Sequence, residues 1–257
     1  MKLRIIFLGT NGWFNTSIGN TTCILIESKD CYIILDAGDG LYKIDRFIKT
    51  QKPIYLFLSH FHLDHITGLH SLNKFKFPQG LRIYGYKGIK EILNKIISFP
   101  YTVALDELPY SVKLFEVKEG RSTRLGEDKE DLPFFVEGWA LLHSVPCFGY
   151  RLEIDNKIIA YCLDTGICDN ALRLAEDADL LLCECSLKVG ETKEDWPHLN
   201  PQTAAQIAQK ASAKELALIH FNPHFYPTLA DRKRAEREAK KIFPNTFSGQ
   251  DDMEVRL

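Results

Sequence analysis

The seven residues Ser59-His60-Phe61-His62-Leu63-Asp64-His65 constrain this chain more than any other stretch. They follow the apolar run 54–58, whose length and β-branched and aromatic content predict a buried strand. His60 and His62 stand two apart, so in extended backbone their side chains leave the same side and can grip one ion. Asp64 and His65 come next, where a turn into a helix aims them at a second ion. Imidazole and carboxylate are donors that zinc accepts, with one position left open where a bound water is needed. A lone histidine beside a strand is usually a satisfied core or surface group. Four donors this close together, in a chain with 8 histidines, are different. Buried without a metal, they would leave several polar groups unpaired at about 1–3 kcal/mol each.

Composition bounds the rest. With 257 residues, 45% hydrophobic and 26% charged, the chain can bury a substantial core without disulfide staples. A formal net charge of −2 supplies no global basic field for nucleic acid, although it leaves room for a small phosphate ester held by metal ions. The 7 cysteines mostly lie inside apolar runs, as reduced buried thiols do. Cys183-x-Cys185 has no second pair and reads as strand packing. The apolar run 5–8 is too short for a signal segment or a membrane span, so a cytoplasmic protein without a membrane partner is expected.

Apolar runs predict strands over 3–8, 22–27, 32–35, 54–58 and 81–84, with helical spacing over 41–48, 66–75 and 89–97. Strands follow over 112–117, 134–142, 148–154 and 158–163, and the charged stretch 119–131 reads as a loop. The last third alternates: helix 171–175, strand 180–183, helix 203–211, strand 216–219, helix 230–242 and a closing strand 253–257. With no repeat and no linker, residues 1–257 read as a single layered α/β (α+β) domain.

Three more donors repeat the context of His60. His143 ends the run 139–142, Asp164 ends 158–163 and His220 ends 216–219. Each is the first metal-binding side chain after a buried strand, where a rigid scaffold meets a loop.

In this order, His60-x-His62-x-Asp64-His65, His143, Asp164 and His220, with Asp36, resemble the metallo-β-lactamase fold superfamily over nearly the whole chain. The resemblance implies a four-layer αβ/βα sandwich with two Zn2+ at one edge of the sheets, Mn2+ or Fe2+ being the other candidates. It implies that His60, His62 and His143 hold one ion and that Asp64, His65 and His220 hold the other. Asp164 would bridge them, with Asp36 supporting the site from behind. The chain is most similar to the ribonuclease Z-like branch, through Phe7-Leu8-Gly9-Thr10, the run from His143 to Arg151, Asp164-Thr165, His198 and His220-Phe221-Asn222-Pro223. In that branch the equivalent of His198 serves the leaving group, and Glu184 is placed to orient it. His224, four residues past His220, is a candidate substrate contact or a solvent-facing side chain, and His70 is assigned to the surface.

Two departures separate the chain from true ribonuclease Z. Only twenty residues lie between His143 and Asp164, where those enzymes carry a long tRNA-gripping arm, and Cys183-Glu184-Cys185-Ser186 replaces a His-Glu-Ala-Thr stretch. The expectation is a dinuclear zinc phosphodiesterase acting on a cyclic nucleotide, a cyclic sugar phosphate or a short nucleotide. Both ions would activate a shared bridging hydroxide, with Asp64 accepting the water's proton. Rival readings are a tRNA 3'-processing endonuclease with RNA as substrate, a carbon-ester, thioester or lactone hydrolase, and a non-catalytic metal-binding scaffold. A homodimer is common in the branch.

Overall fold

The computed structural model describes residues 2–125 and 130–257. The strands are β1 (Arg4–Gly9), β2 (Cys23–Glu27), β3 (Tyr32–Leu35), β4 (Ile54–Phe57), β5 (Leu81–Gly85), β6 (Val112–Glu116), β7 (Gly120–Leu125), β8 (Glu130–Ala140), β9 (Phe148–Ile154), β10 (Lys157–Cys162), β11 (Leu180–Glu184), β12 (Leu216–Ile219), β13 (Thr246–Ser248) and β14 (Glu254–Arg256). The helices are α1 (Leu63–Ile66), α2 (Ile89–Ile96), α3 (Asp169–Ala175), α4 (Pro201–Lys210) and α5 (Leu229–Lys240), with 3-10 turns at Asp39–Arg46, Thr67–Lys74 and Leu105–Glu107.

Alternation along each apolar strand builds two buried faces. In β1, Ile5 and Phe7 enter one cluster while Ile6 and Leu8 enter another. In β11, Leu180 and Leu182 face the first cluster, and Leu181 and Cys183 face a third. The first cluster lies between two seven-stranded sheets, ordered β14-β1-β2-β3-β4-β5-β6 and β13-β12-β11-β10-β9-β8-β7. The second joins the outer face of one sheet to α2 and the 3-10 turns, and the third joins the other sheet to α3, α4 and α5. The result is the expected four-layer αβ/βα sandwich. Cys183 and Cys185 both pack into the third cluster, and all seven cysteines are free thiols. Asn200 and Thr203 fix the start of α4 with a reciprocal capping box, followed by Pro201 at a first-turn position that needs no N–H.

One expectation needs correction, and one strand is added. The stretch 119–131 is not a loop throughout, because β7 and the start of β8 pair antiparallel there, Gly120 opposite Gly138 and Leu125 opposite Glu130. An edge strand needs no continuous apolar run, so its polar sequence hid it. Residues 126–129 of that stretch lie outside the described residues. The short strand β13, absent from the sequence reading, pairs parallel with β12. Among the described residues no helix is long and apolar enough to cross a membrane.

The interval from His143 to Asp164 is filled by β9 and β10. They pair antiparallel with Ile154 opposite Lys157, so only Asp155 and Asn156 make the turn. Both have positive φ, 50° and 59°, as a type I′ hairpin demands. Glycine carries no Cβ penalty there, so Asn156→Gly should stabilise the fold by about 0.5–1 kcal/mol. In a thermal melt this appears as a rise in Tm of about 1–3 °C.

Candidate metal centre

The donor side chains gather where strands of both sheets end. His60 follows β4, Asp64 and His65 lie in α1, and His143 follows β8. Asp164 follows β10 and His220 follows β12. Asp36, Asp164 and His220 each leave their strand with φ of 57°, 50° and 52°. This left-handed conformation is uncommon outside glycine, and Asp, Asn and His tolerate it best. Three residues just past strand ends sharing it is the kind of local strain that concentrates at functional sites.

The structure brings all seven proposed donors together. One nitrogen from each of His60, His62 and His143 lies within 4.8 Å of the others, and one donor atom from each of Asp64, His65 and His220 does likewise. His60, His65 and Asp164 form a further such group, which links the two triads. Within the first triad His60 Nε2 is 2.9 Å from His62 Nδ1, and His143 Nε2 is 3.4 Å from the same atom. Across the second, His65 Nε2 is 3.1 Å from His220 Nε2. Asp164 Oδ2 lies 3.0 Å from His65 Nε2 and 3.2 Å from His220 Nε2.

Hydrogen bonds behind the cage decide which nitrogens face inward. Asp36 accepts from Ser59 N (2.7 Å), Ser59 Oγ (2.8 Å), Tyr161 Oη (2.7 Å) and His65 Nδ1 (2.7 Å). With its proton given to Asp36, Ser59 Oγ accepts from His60 Nδ1 at 3.0 Å. Ser186 Oγ donates to the His220 carbonyl, so it accepts from His220 Nδ1 at 3.1 Å. In their neutral tautomers His60, His65 and His220 therefore all turn an Nε2 lone pair inward. Lone pairs at 3 Å repel, and Asp164 Oδ2 is buried among them with no hydrogen-bond partner. A shared cation resolves both problems. The donor set fits two divalent ions.

Charge points the same way. Against the desolvation of burial, Asp64, Asp164 and Asp36 push His65 well above the usual histidine range, so the cage favours a positive charge. Burial lowers His143 to about 4, outweighing the pull of Asp164, and leaves it a neutral donor.

At the edge of the cage, His198 is buried and meets His143 with ring centroids 5.3 Å apart. Its Nδ1 donates to Glu184 at 2.9 Å, and Glu184 also accepts the Thr165 N–H at 2.6 Å. Against burial, Glu184 raises His198 to about 9. His70 is exposed on its 3-10 turn. His224 is exposed too, but its ring lies 5.1 Å from that of Phe14 and 6.4 Å from that of Trp13.

Several residues of the site escaped the sequence reading. Ser59, Tyr161 and Ser186 orient donors, and Gly12 packs so closely that a Cβ there would stand 2.6 Å from His220 Cε1. Trp13 N donates to Asp64 Oδ2 at 2.8 Å. Of these, Ser59 and Ser186 stand inside stretches that the sequence singles out, but nothing in the sequence marks their roles.

The family described as Beta-lactamase superfamily domain matches residues 32–221, from β3 to the residue after His220. The chain belongs to that superfamily. With this fold and donor cage it is a metal-dependent hydrolase. Ribonuclease Z of Bacillus velezensis is 26% identical, and the alignment takes in 99% of each chain. It runs over 316 residues against 257 here, so the relative carries insertions that this chain lacks. In structure the chain is similar to the metallo-beta-lactamase fold protein YhfI from Bacillus subtilis, with TM-score 0.79, 23% identity and 99% of each chain covered. It is also similar to the short form of human tRNase Z, with TM-score 0.75, 20% identity and 98% of each chain covered. Both likenesses bear on the fold alone.

Asp36 is the natural test of the cage. Asparagine tolerates the same positive φ but cannot accept every bond that the carboxylate accepts. Asp36→Asn should therefore weaken metal affinity about 10–100-fold, read by competition with a chromogenic chelator, with circular dichroism unchanged.

Proposed function

We propose that the chain is a dinuclear zinc phosphodiesterase acting on a small phosphodiester: a cyclic nucleotide, a cyclic sugar phosphate or a short nucleotide. The observation that carries this reading is the pair of donor triads joined through Asp164, with the Glu184–His198 pair at its edge. His60, His62 and His143 would hold one ion and Asp64, His65 and His220 the other, with Asp164 between them. Such ions, when bound, lower the pKa of water toward neutrality and stabilise charge on phosphoryl oxygens. Zinc suits a set so rich in imidazole. The 257 residues would work as one domain, and free buried thiols suit a reducing cytoplasm.

The remaining steps belong to the chain itself. Asp64 accepts the proton of the attacking water. Glu184 engages His198 Nδ1, which leaves Nε2 to carry a proton to the departing alkoxide oxygen. Thr165, next to Asp164, donates its N–H to the same Glu184, so the acid is tied to the donor cage through one carboxylate.

A small substrate is favoured over tRNA by the two-residue turn between β9 and β10, which leaves no arm in the interval where ribonuclease Z carries one. A cleft of about 330 Å³ beside His198, lined by Leu142, Ile167, Pro197 and Leu199, suits a leaving group of modest size. The second reading, tRNA 3'-processing, is supported by the full-length similarity to ribonuclease Z.

The metal-loaded protein should hydrolyse bis(p-nitrophenyl) phosphate, and His62→Ala or Asp164→Ala should abolish both stoichiometric metal binding and turnover. Hydrolysis of thioesters or lactones in its place would overturn the proposal. His198→Ala provides a sharper check. It should cost about 10²–10⁴ in kcat on esters with alkyl leaving groups. The loss should be far smaller with p-nitrophenolate, which departs without a proton.

A further inference from the structure

We infer that the loop following β1 presents a preformed aromatic wall that stacks the nucleobase of a nucleotide substrate, which selects nucleotide esters over sugar phosphates. This rests on the phosphodiesterase reading. The observation is an exposed aromatic cluster fastened to the cage. Trp13 is 58% exposed and Phe14 40%, large apolar surfaces beside a polar centre. Trp13 holds φ at 64°, a backbone state that a bulky side chain rarely adopts. Its N–H is bonded to the proposed ligand Asp64, while Trp196 packs on the proposed acid His198 with centroids 4.4 Å apart. The two tryptophans meet at 6.3 Å, so one wall spans the attacking and the leaving sides of the centre.

The rings contact one another edge to face. Trp13 meets Trp196 at 88° and His224 at 75°, and Phe14 meets His224 at 70°. No parallel ring stacks on Trp13 among the described residues, and at 58% exposure it keeps surface for a planar guest. Lys193 Nζ lies 5.0 Å from the Trp196 ring, which leaves Trp13 as the stacking platform.

The loop is held rather than mobile at its base. Asn11 Nδ2 donates to the carbonyls of Phe14 and Gly19. The buried Arg232 donates to Thr10 Oγ1 and Asn11 Oδ1. Asp251 accepts from Thr10 Oγ1 and Asn20 N and pairs with Lys43 at 2.9 Å. Gly12 N donates to the Phe221 carbonyl. A rigid platform binds a base without an ordering cost, and any base has a π-face to offer.

The test compares adenosine 5'-monophosphate with ribose 5-phosphate on the metal-loaded protein, read by tryptophan fluorescence and competition. Two of the 3 tryptophans lie in the wall, and the third, Trp139, is covered by Arg173 at 3.8 Å. The mononucleotide should quench the fluorescence and bind about ten-fold or more tighter than ribose 5-phosphate, the scale of one base–aromatic stack. Trp13→Leu should erase that ratio and Trp13→Phe should keep most of it. Equal affinity for the two ligands, or a ratio unchanged in Trp13→Leu, overturns the inference. If bis(p-nitrophenyl) phosphate goes unhydrolysed, the proposed reaction fails, and the binding ratio still judges the wall by itself.

Discussion

One carboxylate ties the two sheets to the metal cage. Asp36 sits at the end of β3, donates its own N–H to the Phe57 carbonyl at the end of β4, and is wholly buried. A buried carboxylate without partners is costly, and four donors answer this one. Three come from the stretch after β4. The fourth is the Tyr161 hydroxyl, which reaches it from β10 in the opposite sheet. The packing of sheet on sheet therefore sets where Asp36 lies, and Asp36 sets His65 directly and His60 through Ser59. Both proposed ion sites depend on that contact. A shift of one sheet against the other would disturb His60 and His65 together, since the same carboxylate holds both.

This dependence explains which parts of the site could be read from the sequence. Each proposed ligand follows a buried apolar run, and an apolar run ending in His or Asp is visible without tertiary information. Glu184 and His198 were visible through the resemblance, and the structure places them in contact. The orienting partners were not visible. Tyr161 looks like any strand aromatic, and its bond to a residue 125 positions away depends on how the sheets stack. Ser186 and Ser59 are common residue types whose role rests on where one proton goes. In the fold, long apolar strands were legible and the edges were not. β7 is polar and β13 has three residues, because an edge strand needs neither length nor an apolar face.

The backbone strain was equally hidden. Asp36, Asp164 and His220 occupy left-handed conformations where glycine would cost less, and each such residue costs about 1–3 kcal/mol. Glycine would remove the strain and the donor together. At these positions the need for a side chain that accepts charge or metal outweighs the conformational preference. Gly12 shows the converse, since nothing larger fits against His220. Local propensity and site geometry conflict at these points, and in each case the centre prevails.

The cage by itself does not choose a substrate, because a bound divalent metal suits many phosphodiesters. Selectivity must come from what stands around it. In this chain the interval after His143 contributes a tight hairpin, which removes one surface on which a large substrate could rest. The loop after β1 contributes the opposite, a strained and exposed tryptophan whose backbone is bonded to a proposed ligand. Pinning that loop from below with Arg232, Asp251 and Lys43 makes mechanical sense only if its position matters. A loop free to collapse would bury Trp13 and lose nothing in hydrophobic energy. Holding it open beside the cage gives up that burial, and a planar group bound against the exposed face would restore it.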